Sequence, residues 1–261
     1  MTKTTIRKVP LLAAAAAGFS MVLNIAESRA DEEVPFSVAR LFFQLNDTDG
    51  DLGIHMVVDG DPWKTLEIDS PDDRRLLYIS TRSKLRRQGL TELRFESAEP
   101  NFEELPAAVF FRRFPEGEYD IEGMGLEGEE FESTVMITHV LPAAPDNLRV
   151  NGMAAPDDCD EGTVPSVSSP FIISWDAVTT SHEELGRPGP IDIERYEVAV
   201  EREEPIFLKV EADVHVPPEG PVTQFEVPAA LLGSGDEVKF QILATDAGGN
   251  ESSSESCFEV E

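Results

Sequence analysis

Apolar and polar residues alternate with a period of two along most of this chain, a pattern that predicts strands rather than helices. Leu41, Phe43 and Leu45 share one face of a strand read over 34–44 and running on into the next residues. Ile54, Met56 and Val58 form the inward face of a second strand, and Asp59-Gly60-Asp61-Pro62 after them reads as a turn, because Gly and Pro punctuate regular structure. Trp63, Leu66 and Ile68 predict a third strand, 76–80 a fourth and 90–96 a fifth. The period changes over 101–114. There Phe102, Leu105, Val109 and Phe110 fall near one face at helical spacing, and Pro106 lies in the first turn, where its missing N–H matters least. This is the one helix predicted. Tyr119 and Ile121, the turn Leu126-Glu127-Gly128 and the alternation over 131–140 then close a hairpin.

Residues 141–146, with Pro142 and Pro145 among small side chains, read as a linker. Beyond it come short alternating segments over 147–150, 171–175, 195–202, 206–210, 224–227, 237–245 and 256–260, which is the pattern of a Greek-key β-sandwich. The expected fold class is therefore mostly β, with two β-sandwich domains in tandem at 31–140 and 147–261 and one helix in the first.

Several motifs of the second half resemble a fibronectin type III domain over 142–261. They are Pro145-Asp146-Asn147-Leu148-Arg149-Val150, the tryptophan of Ile173-Ser174-Trp175-Asp176, the strand Tyr196-Glu197-Val198-Ala199-Val200, and Val238 to Ala244 with the turn Asp246-Ala247-Gly248-Gly249-Asn250-Glu251. The resemblance implies an immunoglobulin-like sandwich with Trp175 in its core, serving as an adhesion, spacing or binding module. Val238 stands where such domains carry the tyrosine of the corner. Over 36–77, an acidic loop before a strand and a Ser70-Pro71-Asp72 turn resemble in outline the calcium-stabilised jelly-roll modules of secreted bacterial proteins.

The first thirty residues fit neither pattern. Lys3, Arg7 and Lys8 precede an apolar run from Pro10 to about Ala26 and then Ser28-Arg29-Ala30, the layout of a secretory leader cleaved after Ala30. The run is short for a membrane span of roughly 20 apolar residues, and no second one follows, so no integral membrane segment is expected after cleavage. The expected location is periplasmic or extracellular. Export permits oxidation, which pairs the two cysteines, Cys159 and Cys257, in one disulfide. The formal net charge of −30 repels nucleic acid and anionic lipid, leaving a protein or a glycan of unknown identity as the expected partner.

Chemistry concentrates in Asn46-Asp47-Thr48-Asp49-Gly50-Asp51-Leu52-Gly53. Asp47, Asp49 and Asp51 match the alternate ligand spacing of a calcium loop, with Asp59 or Asp61 as candidates to complete the shell. The glycine is displaced to Gly53, and Val58 stands where a bidentate Glu would, so an EF-hand is not expected. A strand-loop-strand Ca2+ site and a plain turn capped by Asn46 both fit. Arg74, Arg75, Arg82, Lys84, Arg86 and Arg87 form a basic patch that could pair with carboxylates of its own domain or grip an acidic partner. His55, His139, His182 and His215 are scattered, without metal spacing, and no nucleophile elbow is present, so no catalytic residues are assigned. The expected function is a non-catalytic secreted interaction or spacer protein. The alternative is a small extracellular hydrolase or carbohydrate-binding protein acting on a polysaccharide, with Trp63 as the sugar platform.

Overall fold

The computed structural model describes residues 33–261, except 161, 203, 205, 218 and 219. The expected leader over 1–30 lies outside them. The amino-terminal half contains β1 (Val38–Asn46), β2 (Asp51–Asp69), β3 (Arg75–Ser80), α1 (Ser83–Gln88), β4 (Leu90–Glu96), α2 (Ala107–Arg113), β5 (Gly117–Gly125) and β6 (Glu130–Ile137). The carboxy-terminal half contains β7 (Arg149–Val150), β8 (Met153–Ala154), β9 (Ser166–Val167), β10 (Phe171–Ser174), β11 (Ile193–Arg202), β12 (Leu208–His215), β13 (Gln224–Val227), β14 (Glu237–Asp246) and β15 (Glu251–Val260).

The architecture is mostly β, as the alternation predicts, and three local expectations are corrected. The predicted turn at Asp59-Gly60-Asp61-Pro62 lies inside the 19-residue strand β2. There the pairing with β4 slips between Asp59 and Trp63, so Pro62 falls at an irregularity where a ladder N–H is not needed. Gly60 is small for a packing reason: a Cβ there would lie 3.1 Å from Phe36 Cδ1, and Phe36 stacks on Phe131 with ring centroids 5.1 Å apart. The helix expected over 101–114 begins only at Ala107, because Asn101 Oδ1 accepts the N–H groups of Glu103 and Glu104 and holds a separate turn ahead of Pro106. Finally, a second short helix, α1, forms inside the basic patch, where no helix is expected.

The long β2 explains how the first core closes. Its first part is flanked by β1 and β4, its last part by β3 and β5, and β6 pairs with β5. Around this bend the inward residues Phe43, Leu45, Met56, Trp63, Leu66, Ile68, Tyr119 and Ile121 are almost fully buried. Burying side chains of this size stabilises by roughly 1.5–3 kcal/mol each.

In the second half, β13-β10-β7-β8 faces the run β12-β11-β14-β15 across a separate core. This is the immunoglobulin-like sandwich that the resemblance implies. Trp175 is buried and meets Tyr196 edge-on at 5.3 Å, while Tyr196 Oη accepts the Val178 N–H at 2.9 Å. Val238 is buried in its place in β14. Cys159 and Cys257 are joined, tying β15 to the loop before β9 with Cα atoms 6.0 Å apart.

One sheet runs through both halves. β15, the last strand, pairs in parallel with β1, the first, through Gln44↔Glu251, Leu45↔Ser252 and Asn46↔Ser253. To reach this register β15 starts at Glu251, five residues before the expected 256, and Leu141, Pro142 and Pro145 of the predicted linker are buried beside it.

Candidate functional site

The seam where β15 meets β1 is built from polar residues in positions that a strand between two cores would ordinarily fill with apolar ones. Asn250, Glu251, Ser252 and Ser253 are at most 4% exposed. A buried polar group without a partner costs about 1–3 kcal/mol, and here each has one across the seam. Asn250 Nδ2 donates to the carbonyls of Thr138 and Val140, both at 2.9 Å, while its Oδ1 accepts the Phe43 N–H at 3.0 Å. The Ser252 hydroxyl donates to the Pro142 carbonyl at 2.7 Å, and that of Ser253 to the Leu45 carbonyl at 3.3 Å. Glu251 Oε1 accepts from Arg40 of β1 at 3.3 Å and from Arg195 of β11 at 3.0 Å, with the Thr245 hydroxyl at 3.1 Å. Apolar contact alone would let the halves slide. These bonds fix one register.

The acidic loop belongs to the same seam. Asn46 Oδ1 accepts the N–H groups of Thr48 and Asp49, Gly50 takes φ +66°, and the Gly50 N–H returns to the Asn46 carbonyl, which closes the hairpin between β1 and β2. The loop then reaches across to the other half. The Asp47 N–H donates to the Ser253 carbonyl at 3.0 Å, and Thr48 Oγ1 accepts the Glu255 N–H at 2.9 Å. Asn46 Nδ2 donates to Glu255 Oε1 at 2.9 Å. His182 Nδ1 accepts the N–H groups of Glu184 and Leu185, which leaves the ring proton on Nε2, aimed at Asp47 Oδ1 3.1 Å away.

The four aspartates singled out for Ca2+ are therefore not equivalent. Asp47 faces His182, and Asp49 Oδ2 accepts from Asn46 Nδ2 at 3.1 Å. Asp51 sits in the ladder opposite Asn46, where burial pushes its carboxyl up to about 6, reinforced by Glu99, Asp49 and Glu255. Asp59 pairs opposite Val38, eight residues along β2 and so roughly 26 Å from Asp51 at strand rise. Among the described residues, no group of three or more His, Cys, Asp or Glu side chains is placed to hold a metal ion. The displaced Gly53 has a reason of its own, since a Cβ there would run into the side chain of Glu99, whose Oε1 lies 2.7 Å from His55 Nε2.

Two other features compete as sites. On the outer face of β2, β5 and β6, the carboxylates Glu67, Glu122 and Glu132 stand opposite one another across three strands and line a cavity of about 540 Å3. Burial and the neighbouring Glu67 raise the pKa of Glu122. A polysaccharide hydrolase needs such carboxylates, but it also needs its platform, and Trp63 is fully buried with Nε1 unpartnered. Trp63 is a core residue, so the sugar-platform reading is corrected. The second feature is the basic patch. Arg74 pairs with Asp72, and Arg75 with Glu67 and Asp69, whereas Arg82, Lys84, Arg86 and Arg87 are exposed, with no carboxylate within ion-pairing distance among the described residues.

The seam residues Asn250 to Ser253 escape a pattern-based reading because it places Asn250 and Glu251 in a turn and leaves Ser252 and Ser253 ahead of the strand expected from 256. A signal was present: serines in the middle of a strand, where β-branched and aromatic residues are usual, imply a polar partner.

No family model and no curated protein matches this chain. Among solved structures it is similar to the FN1-FN3 domains of chicken CNTN1, with 10% identity, 87% of this chain and 69% of that one covered, and a TM-score of 0.31. A tetra-tandem repeat from the extending region of a large adhesion protein gives 12% identity, 86% and 50% coverage, and a TM-score of 0.27. A 1.5-MDa bacterial ice-binding adhesin gives 12% identity, 88% and 66% coverage, and a TM-score of 0.23. No helix among the described residues is long and apolar enough to cross a membrane.

Proposed function

We propose that this chain is an exported, non-catalytic interaction or spacer module in which two β-cores act as one stiff body. The observation that carries this reading is the seam. A flexible tether would leave the ends of two sandwiches solvated, whereas Asn250, Ser252 and Ser253 are buried and bonded across the two halves. A stiff connector transmits position between what lies at its two ends, and buried polar bonds give it register rather than mere adhesion. The disulfide and the leader-like first residues support an oxidising location.

The test is calorimetry of the oxidised chain beside a variant with the seam cut. The intact chain is expected to melt in one transition, and Asn250→Ala combined with Ser252→Val to melt in two. Two well-separated transitions in the unaltered chain would overturn the stiff-body reading. Release of reducing ends from any polysaccharide in a panel, abolished by Glu122→Gln, would overturn the non-catalytic one.

A further inference from the structure

We infer that the open side of the first core, between β3 and β4, is a docking groove for an extended acidic peptide segment of a partner protein. Three observations converge there. The first is backbone: β3 and β4 each pair only with β2, so each presents one unpaired edge among the described residues. Free strand edges are templates for another strand. The second is an apolar cavity of about 290 Å3 between them. Leu77 and Ile79 of β3 and Leu93 and Phe95 of β4 line it in alternate positions, half-buried, with Ile54 and Ile68 beneath. Such side chains are incompletely covered by this chain, and their spacing of two matches that of a strand laid alongside. The third is charge. The connection between β3 and β4 is α1 with its flanks, carrying Arg82, Lys84, Arg86 and Arg87, all exposed and without a carboxylate partner among the described residues.

Together these select the ligand. A protein of net charge −30 that keeps four bases unpaired at one end of an apolar groove presents a local reversal of its own field, which attracts an anionic partner to that spot. An anionic polysaccharide has no apolar side chains to enter the groove and no backbone amides for the edges. A strand that alternates acidic and aliphatic residues has both. The inference names a ligand class for the module proposed above and rests on that reading, but its test does not involve the seam. Loss of groove binding leaves the calorimetric result unchanged.

The experiment is a fluorescence-anisotropy titration of the oxidised full chain against a fluorescein-labelled synthetic decapeptide alternating Glu with Val and Leu. Saturable binding that weakens as salt is raised is expected. Arg82→Glu/Lys84→Glu/Arg86→Glu/Arg87→Glu lies wholly on the surface, and Leu76→Glu alters a groove residue already 43% exposed, so both variants are expected to fold. Each is expected to lower affinity about tenfold or more, and N-methylation of alternate peptide amides to do the same. No saturable binding overturns the proposal. A heparin fragment that binds as tightly as the peptide, and is indifferent to Leu76→Glu, shows a plain anion patch and overturns it too. Concentration-dependent dimerisation of the chain that the peptide displaces would make the occupant a second copy and likewise overturn it.

Discussion

The seam and the groove are two boundaries of the same core, and they treat water in opposite ways. At the seam, polar side chains are buried and every one has a protein partner. At the groove, aliphatic and aromatic side chains stand half in water beside strand edges unpaired among the described residues, and the nearest bases have no counter-charge among those residues. The first boundary is finished within the chain. The second is finished only if something else arrives. Completeness of pairing, rather than exposure or charge alone, separates the structural contact from the proposed binding surface in this molecule.

The sharpest way to break that contrast is to leave the seam unpaired. Asn250→Ala strands the Phe43 N–H and the carbonyls of Thr138 and Val140, so a loss of about 3 kcal/mol is expected in denaturant unfolding of the oxidised chain. A loss below about 0.5 kcal/mol would show that water replaces the side chain and that the seam is not closed. Ser252→Val should cost less, about 1–2 kcal/mol, because it strands one carbonyl.

A smaller effect concerns the acidic loop that borders the seam. Burial raises the Asp51 carboxyl from 3.8 to about 6, so the folded state holds that proton more tightly than the unfolded chain does. The stabilising contribution is complete below about pH 4 and is lost as pH rises through 6, because ionised Asp51 then faces Glu99, Asp49 and Glu255. Asp51 is partly solvated, so the loss at neutral pH is about 1 kcal/mol after screening. Asp51→Asn should recover that amount at pH 7 and lessen the fall in stability between pH 4 and 6, leaving the part that belongs to Asp246, whose carboxyl is likewise raised by burial to about 6. An unchanged profile would place the titration elsewhere.

The smallest expected response is to Ca2+. With Asp47 held by His182 and Asp59 far along β2, millimolar Ca2+ added to chelated protein should move Tm by less than about 1 °C. A rise of several degrees that Asp49→Ala abolishes would instead make the loop a cation site.

Strands with one buried face were legible in the alternation, because a period of two leaves its mark wherever one side packs and the other is wet. Leu41, Phe43 and Leu45 are buried as expected, and 90–96 is strand to the residue. Trp175 is in the core, as the resemblance implies, and the two cysteines are joined, as an expected oxidising compartment permits. What escaped depends on distant partners. Gly60 and Pro62 carry the local signature of a turn; the ring of Phe36, brought over by tertiary packing, shows why a continuous strand uses the glycine, and the slipped pairing with β4 why it tolerates the proline. Asn250 and the serines after it look like surface until a strand some two hundred residues away is laid beside them. The groove was half visible: the basic run was plain in the sequence, but which of its members pair (Arg74 and Arg75) and which do not among the described residues (Arg82, Lys84, Arg86 and Arg87), and the cavity beside them, exist only in the fold.

The pairing of β1 with β15 also sets an order of events. The Phe43 N–H waits for an Asn250 side chain 207 residues away, so the first half leaves its point of synthesis with that part of the β1 edge bare. Contacts of such separation are slow to form. Until residues 251–260 have emerged, the stretch Gln44 to Asn46 of β1 is an open strand edge that a neighbouring chain can join, and this stretch is closed to such mispairing only when β15 is in place.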